Sequence, residues 1–275
     1  MKNLLWVGVK KMKLTKFIFS ISCAFSIISI YATIPPQIIQ ISVPKCGTHL
    51  LKKCIGLLIN NPRYFDSLDH FHFTFEHLLV FEDKNIPLVV THLFYTPDCE
   101  KALNDANLIK LFIYRDPRDQ VVSLAYYMLS NNVVWPNAPK ISFDDLLYDL
   151  LTEGTTINNA PPTKNIVTLY HEYLPWLRKP DILSIRFEDL VGSKGGGSDE
   201  AQFKTLDRIA KHLGLKVSEE FLQTIPGQLF GGSQTFREGK IGSWKTHFKP
   251  EHKELFKKVA GKLLIDLGYE KGSDW

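Results

Sequence analysis

Cysteine is scarce in this chain of 275 residues, and a metal-binding pattern is missing. The four cysteines are too few for a disulfide framework, and none belongs to a Cys-x-x-Cys pair. His70, His72 and His77 lie close together, but no cysteine or carboxylate framework with ligand spacing accompanies them. We therefore predict neither a disulfide-stapled fold nor a metal site.

A basic face for nucleic acids is also missing. The formal net charge is +4, but residues 1–32 contain five lysines and no acidic residue, so the remainder carries one net negative charge. Nucleic-acid binding needs basic residues clustered on the folded domain. We expect no nucleic-acid partner. The chain length suits one large α/β domain with a substantial core.

The N-terminus is predicted to be a targeting element. Its lysine-rich start precedes an uncharged run of 18 residues, 17–34. This run is short but possible for a tilted membrane span, and it is long for the core of a signal peptide. A membrane anchor, a cleaved signal, a buried helix and a start at Met12 all remain open. We assign residues 1–34 to a signal peptide or membrane anchor and residues 35–275 to a single domain. The location is membrane-associated or secretory, or cytoplasmic if the segment is not used.

The segment IIQISVPKCGTHLL, residues 38–51, predicts a strand, a tight loop and a helix N-terminus. The first backbone N–H groups of a helix have no partner within it, and the helix dipole favours negative charge there. Lys45 adds an ammonium group and Thr48 a hydroxyl group. We therefore predict a phosphate or sulfate-ester site. The loop is not a Walker A motif, because Lys45 precedes Gly47 and no glycine lies five residues before the lysine.

Three further apolar runs, residues 86–93, 108–114 and 181–187, predict strands that alternate with helical patterns. Such alternation is typical of a parallel sheet with helices on both faces. Asp116 is the predicted cap of the helix that begins at Pro117. Residues 192–199, which include three consecutive glycines, are predicted to be a flexible surface loop.

The predicted strand ends carry residues suited to anion chemistry. Lys45 follows the first strand, His92 ends the second and Arg115 follows the third. In open parallel sheets, ligands bind at the carboxyl ends of the strands. We therefore expect these three residues to lie at one edge of the sheet.

The ordered motifs resemble the cytosolic-type sulfotransferases, which use 3′-phosphoadenosine 5′-phosphosulfate. Pro-Lys-x-Gly-Thr is similar to their 5′-phosphosulfate loop, and KLFIYRDPRDQVVSLAYYM to their 3′-phosphate segment. THL, residues 91–93, resembles their catalytic-histidine segment, and RFEDL, residues 186–190, their Tyr-Glu-Asp-Leu segment. FREGKIGSWKTHF, residues 236–248, resembles a late loop that closes over the nucleotide. Together the matches span roughly residues 38–248 in the family's order. The resemblance implies an α/β fold with a parallel central sheet and P-loop-like nucleotide binding.

The resemblance also implies a reaction and a set of residues. A sulfuryl group would pass from 3′-phosphoadenosine 5′-phosphosulfate to a hydroxyl or amine of a small-molecule or glycan acceptor, without a metal. The implied catalytic residues are His92, as general base, and Lys45. The implied nucleotide-binding residues are Lys45, Cys46, Gly47, Thr48, His49, Arg115, Ser123, Phe187, Arg237, Glu238 and Gly239.

Five positions depart from the family pattern. Leu50 stands where an aromatic residue often stacks on adenine, Val90 where a lysine commonly precedes Thr-His, and Phe187 where tyrosine is usual. Glu238 replaces a lysine, and His49 replaces a serine or threonine. A non-catalytic nucleotide-binding protein of the same fold therefore remains an alternative. So does a P-loop phosphotransferase, although it would need Mg²⁺ and a Walker motif. The acceptor and the oligomeric state stay open.

Overall fold

The computed structural model describes most of the chain from Gln37 onward. The described residues are 37–61, 63–67, 72, 77, 80, 83, 85–131, 140–155, 163–232 and 236–275.

A parallel sheet forms the centre of this part of the chain. Its five strands are β1 (Ile38–Ser42), β2 (Phe65–Ser67), β3 (Leu88–Thr91), β4 (Ile109–Tyr114) and β5 (Ile182–Arg186). Their order across the sheet is β2-β3-β1-β4-β5, and every neighbouring pair is parallel. The predicted α/β fold is therefore confirmed. The three predicted later strands are present with slightly shorter bounds, and β2 is an additional edge strand of three residues.

Helices cover both faces of the sheet. They are α1 (Thr48–Leu58), α2 (Pro97–Asp105), α3 (Pro117–Ser130), α4 (Phe143–Leu151), α5 (Ile166–His171), α6 (Leu174–Leu177), α7 (Phe187–Leu190), α8 (Asp199–His212), α9 (Glu219–Thr224), α10 (Pro226–Leu229), α11 (Trp244–His247) and α12 (Pro250–Asp266).

Capping side chains fix where several helices begin. Asp116 accepts a hydrogen bond from the backbone N–H of Arg118, and Pro117 occupies the first turn, which confirms the predicted start of α3. Thr96 and Ser198 cap α2 and α8 in the same way. These local contacts satisfy backbone N–H groups that have no partner within the helix.

The core consists of two apolar clusters, one on each face of the sheet. Side chains alternate along β1, so Ile39 and Ile41 join one cluster and Ile38 joins the other. Helices α2 to α6 and α12 cover the first face, and α1, α8, α9 and α10 the second. Each fully buried Ile or Leu side chain contributes about 1.5–3 kcal/mol to folding. This double-sided burial holds the strand ends in fixed register.

The triglycine segment is not a flexible loop. Residues Ser193–Gly195 form a 3₁₀ turn, and Gly195 is buried. A Cβ atom on Gly195 would lie 2.7 Å from the carbonyl oxygen of Gly239, and one on Gly197 would lie 2.7 Å from that of Glu188. The glycines are needed because two stretches of backbone pass very close to this turn.

The predicted targeting segment, residues 1–34, lies outside the described residues and stays a prediction, together with the boundary at residue 34. Within the described ranges, no helix has the length and apolar composition that crossing a bilayer requires. The same ranges contain no cluster of three or more His, Cys, Asp or Glu side chains arranged to hold a metal ion.

Candidate functional site

The carboxyl ends of β1, β3 and β4 lie side by side, because β3 and β4 pair with β1 on its two sides. The chain runs from β1 toward β2 on one side, and from β4 toward β5 on the other. In such sheets ligands bind outside the carboxyl ends of the strands where this direction reverses, which here is between β1 and β4. Lys45, His92 and Arg115 follow the ends of β1, β3 and β4 and therefore share the predicted edge.

The loop after β1 has a strained backbone. Lys45 has φ 67° and Gly47 has φ 101°, both in the left-handed region. The backbone N–H of Cys46 donates to the carbonyl oxygen of Val43 at 3.1 Å, which closes the turn. A non-glycine residue in this region costs about 1–3 kcal/mol, and such strain is typical of ligand-binding loops.

Helix α1 begins at this loop with no side-chain cap and no acidic residue in its first turn among the described residues. Its first backbone bond runs from Leu51 N–H to the carbonyl oxygen of Gly47 at 3.0 Å, so the preceding N–H groups lack a helical acceptor. Gln40 ties the sheet to the helix start, since its Nε2 donates to the carbonyl oxygen of Thr48 at 2.7 Å. The result is a fixed helix N-terminus that favours an anion.

Lys45 adds a cation to this loop. Its Nζ lies 3.8 Å from the centroid of the Tyr127 ring, a cation–π contact. The pKa of Lys45 is lowered to about 8, chiefly by burial and further by the charges of Arg115 and Arg237. The ammonium form still dominates at pH 7, so the loop carries a positive charge near two others.

Cys46 lies in the loop after β1, and His49 lies in the first turn of α1. The thiol of Cys46 is buried, 3.5 Å from the hydroxyl of Tyr170, and burial raises its pKa to about 12. It is therefore a neutral, unreactive thiol. His49 is the half-buried second residue of α1, and burial, followed by the charge of Lys52, lowers its pKa.

His92 is buried at the end of β3, and one contact determines which ring nitrogen carries the proton. Nδ1 lies 2.7 Å from the carbonyl oxygen of Ser42, which can only accept a hydrogen bond. The proton is therefore on Nδ1, and Nε2 is the unprotonated nitrogen. Burial lowers the pKa of His92 to about 4, so the ring is neutral at pH 7. Tyr173 fixes the strand end by donating its hydroxyl to the carbonyl oxygen of His92 at 2.8 Å.

Ser42 connects His92 with the loop, a role that sequence reasoning missed. Its Oγ lies 3.1 Å from Nδ1 of His92 and 2.9 Å from Oγ1 of Thr48. All three side chains are buried. The only sequence signal for Ser42 was its position as a polar residue at the end of an apolar strand.

Arg115 is buried after β4 with part of its hydrogen-bonding capacity unused. Its guanidinium stacks on the ring of Phe187, with Cζ 4.3 Å from the centroid. Nη2 donates to the carbonyl oxygen of Lys240 and lies 3.5 Å from the carboxylate of Asp119. Nε is buried without an acceptor among the described residues. A buried unpaired donor costs about 1–3 kcal/mol, which an anionic acceptor would recover.

Phe187 packs between Arg115 and the loop after β1. A Cβ atom on Gly47 would lie 2.7 Å from Cδ2 of Phe187 and 3.1 Å from Cδ1 of Ile113. Glycine is therefore needed at position 47 for both its φ angle and its closeness to Phe187. The ring of Phe187 thus fixes the distance between Arg115 and the loop after β1.

One face of α3 borders the whole site. Asp119, Ser123, Tyr126 and Tyr127 fall at helical spacings of four, seven and eight residues, which place them on one side of the helix. Tyr127 contacts Lys45, and the ring of Tyr126 lies 4.4 Å from Cζ of Arg237. Ser123, half-buried, lies between these tyrosines and Asp119 along the same face.

The predicted late loop also reaches the site, and its acidic residue is paired. Glu238 forms an ion pair with Arg237 and accepts a hydrogen bond from Oγ of Ser243 at 2.8 Å. Ile241 donates its backbone N–H to the carbonyl oxygen of Gly195 at 2.8 Å. The triglycine turn therefore holds the late loop through this hydrogen bond.

A concavity of about 390 Å³ lies at the opposite edge of the sheet. Its lining includes Lys110, whose Nζ contacts Asp181 at 2.7 Å and Asn104 at 2.6 Å. His212 contacts the carbonyl oxygen of Lys110 at 2.9 Å. Because the cation is neutralised within this concavity, the carboxyl edge is the better anion site.

Comparison with known proteins decides the family. A family model described as the sulfotransferase domain matches residues 35–268. The chain belongs to the sulfotransferase family. The predicted family is thereby confirmed.

Several known sulfotransferases resemble the chain. Sulfotransferase 6B1 of Danio rerio is 27% identical over 183 residues, 58% of this chain and 55% of that protein, so this match spans little more than half of the relative. Cytosolic sulfotransferase 16 of Arabidopsis thaliana is 22% identical over 260 residues, 79% and 72% of the two chains. The crystal structure of mouse sulfotransferase SULT7A1 complexed with PAP has a TM-score of 0.64 at 19% identity, covering 86% of this chain and 87% of that one. This structural likeness confirms the fold.

Proposed function

We propose that this protein transfers a sulfuryl group from 3′-phosphoadenosine 5′-phosphosulfate to a hydroxyl or amine acceptor. The observation that carries the proposal is that two separate features suited to binding an anion lie at one sheet edge. One is the uncapped start of α1 with Lys45, and the other is the buried, partly unpaired guanidinium of Arg115. A nucleotide with two anionic ends matches this pair. Membership of the sulfotransferase family supports the same reading.

The residues divide between the two ends of the donor. The N–H groups at the start of α1, Thr48 and Lys45 bind the 5′ end. Arg115 binds the 3′-phosphate, because its fork of donors matches two phosphate oxygens. Ser123 lies on the α3 face that borders the site and adds a hydroxyl there.

The reaction needs charge stabilisation and one proton transfer. Sulfuryl transfer resembles phosphoryl transfer, in which the attacking and leaving oxygens lie in line. The bond from sulfur to the bridging oxygen of the donor breaks, and a bond from sulfur to the acceptor atom forms. Lys45 stabilises the negative charge on the leaving phosphate. Nε2 of His92 takes the proton of the acceptor.

The low pKa of His92 constrains the timing of that proton transfer. A base with a pKa of about 4 is too weak to take the proton from a free alcohol before the new bond forms. The acceptor oxygen becomes acidic as its bond to sulfur forms, and the proton then moves to Nε2. His92 therefore acts late in bond formation, in its neutral form.

Direct assay tests the proposal. The purified protein is given ³⁵S-labelled donor with a panel of phenols, alcohols, amines and sugars, and in parallel ATP with Mg²⁺. We expect label transfer to at least one acceptor class without metal and no phosphoryl transfer from ATP. Tight binding of adenosine 3′,5′-bisphosphate (PAP) with no transfer to any acceptor would instead indicate a non-catalytic nucleotide-binding protein.

The acceptor is proposed to be a small molecule or a glycan, and residues 17–34 are proposed to direct the domain to a membrane or the secretory pathway. Fractionation of cells that express the full chain, compared with a chain starting at residue 35, tests the second point. Equal distribution of both chains in the soluble fraction would contradict it.

A further inference from the structure

Asp119 lies at the start of α3 and is 1% exposed. It uses both carboxylate oxygens on the late loop. Oδ2 accepts the backbone N–H of Gly242 at 2.7 Å, and Oδ1 accepts that of Trp244 at 2.9 Å. A buried carboxylate that accepts two backbone N–H groups fixes the position of the segment that donates them.

Asp119 also contacts the arginine of the site. Nη2 of Arg115 lies 3.5 Å from Oδ2, and both side chains are nearly inaccessible to water. The same Nη2 donates to the carbonyl oxygen of Lys240 in the late loop. The contacts therefore close a ring, from Arg115 to Asp119, from Asp119 to Gly242, and through Lys240 back to Arg115.

Other supports of the late loop do not involve Arg115. The triglycine turn holds Ile241, and Arg237 stacks on Tyr126. Asp119 alone, among the described carboxylates, contacts both this loop and Arg115. Burial raises the pKa of Asp119, whereas Arg115 and the two N–H groups oppose this by favouring the charged form.

We propose that Asp119 is a positioning residue that holds Arg115 and residues 240–244 in the arrangement that recognises the 3′-phosphate of the donor. The inference rests on the proposed function, because it assigns that phosphate to Arg115. Asp119 itself touches neither the nucleotide nor the transferred group in this proposal.

The charge of Asp119, taken alone, would weaken phosphate binding instead of supporting it. Asp119 places a negative charge close to the arginine that is to bind a phosphate. If charge were its main effect, removing it would strengthen phosphate binding, because like charges repel and the pair lies in a region of low dielectric. If positioning dominates, removal weakens binding, since Arg115 and the loop lose their common anchor. The two accounts therefore predict opposite changes in phosphate affinity when Asp119 is removed.

The test uses Asp119→Asn in the full chain. Asparagine keeps the shape and one acceptor oxygen but loses the charge and one N–H contact. Dissociation constants for PAP and for adenosine 5′-phosphate, which lacks the 3′-phosphate, are measured by titration calorimetry. We expect PAP to bind about tenfold more weakly and adenosine 5′-phosphate to change less than about twofold. Tighter PAP binding, or an equal loss for both nucleotides, would overturn the proposal.

A matched control separates positioning from general destabilisation. Asp116→Asn changes a buried carboxylate one turn earlier, which caps α3 and pairs with Arg118. Asp116 accepts no hydrogen bond from the described late loop, which only its partner Arg118 contacts, through the ring of Trp244. We expect it to lower the melting temperature while leaving the ratio of the two dissociation constants unchanged. If the dissociation constant for PAP, relative to that for adenosine 5′-phosphate, rose as much in Asp116→Asn as in Asp119→Asn, the loss would not be specific to Asp119.

Kinetics and amide exchange give two further readouts. In Asp119→Asn, KM for the donor should rise with little change in kcat, because the lost contact is made equally in the ground and transition states. In the wild-type protein without nucleotide, the amides of Gly242 and Trp244 should be protected from hydrogen exchange. Unprotected amides would overturn the proposal even if the variant does not fold. A wild-type protein that shows no preference for PAP over adenosine 5′-phosphate would instead refute the proposed function.

Discussion

The carbonyl oxygen of Ser42 lies 2.7 Å from Nδ1 of His92 and thereby sets the tautomer of this histidine. Ser42 is the last residue of β1, and His92 directly follows β3. The contact exists because these strands are parallel neighbours in register, with Ile41 opposite Thr91. The sheet itself orients the nitrogen that we propose as the base.

The first prediction concerns His92→Asn. The asparagine amide can replace Nδ1–H as the donor to Ser42, but it has no counterpart of Nε2. We expect kcat to fall by about 10²–10⁴-fold and the dissociation constant for PAP to stay within about twofold. His212→Asn, at the opposite edge of the sheet, is the control and should keep wild-type turnover. A His92→Asn enzyme with wild-type kcat would contradict the role of Nε2.

The second prediction concerns the pH dependence of donor binding. The pKa of Lys45 is lowered to about 8, so the free protein loses this positive charge as the pH rises through 8. Affinity for PAP should be constant between pH 7 and 7.5 and should decline above about pH 8. Calorimetry from pH 7 to 9.5 measures this. Lys45→Arg should remove the decline, because arginine stays protonated in this range, and a flat wild-type profile would show that Lys45 does not contribute charge.

The third prediction is that Lys45→Met stabilises the nucleotide-free protein. Lowering a lysine pKa from 10.5 to about 8 corresponds to a cost of about 3 kcal/mol for the charged form, and the lost contact with Tyr127 offsets about 1 kcal/mol of the gain. The free energy of unfolding at pH 7 should therefore rise by about 2 kcal/mol. The gain should be complete below pH 8 and shrink between pH 8 and 10.5, because the lysine becomes neutral in the folded protein first.

Urea unfolding at several pH values measures this third prediction. Lys53→Met, at an exposed position of α1, serves as the control and should leave stability nearly unchanged. A loss of stability in Lys45→Met would show that the cation–π contact outweighs the cost of burial. PAP binding by Lys45→Met should be weak at every pH.

The fourth prediction compares two glycines of the same region. Gly47→Ala places a methyl group 2.7 Å from Phe187 at φ 101°, so it should lower the free energy of unfolding by about 1–3 kcal/mol and weaken PAP binding. Gly56→Ala lies within α1, where the nearest atom to the new methyl group is 3.6 Å away. It should raise stability by up to about 1 kcal/mol. Equal effects of the two substitutions would contradict the packing of Phe187 against the loop.

Some features of the site could be read directly from the residues. The order strand, Pro-Lys-Cys-Gly-Thr and helix predicted the anion loop, and Asp116-Pro117 predicted the start of α3. Both depend on residues close in sequence, whose backbone preferences act locally. The family resemblance came from motifs of the same local kind.

Other features depended on contacts between distant segments. The triglycine segment has the composition of a linker, but it packs beneath the late loop. Asp119 was not singled out, because its partners Gly242 and Trp244 lie more than 120 residues away.

The amino-acid sequence by itself determined the individual parts of this protein: the loop with its glycine, the capped helices, and a lysine, a histidine and an arginine after apolar runs. Local steric preferences and hydrogen bonds suffice for these. The strand ends predicted that Lys45, His92 and Arg115 share one edge of the sheet, but only the tertiary structure decided which strands are neighbours, because parallel pairing places β3 and β4 on the two sides of β1. It also decided that Asp119 joins Arg115 to the late loop, since burial of the two apolar clusters brings together chain segments that no local preference relates.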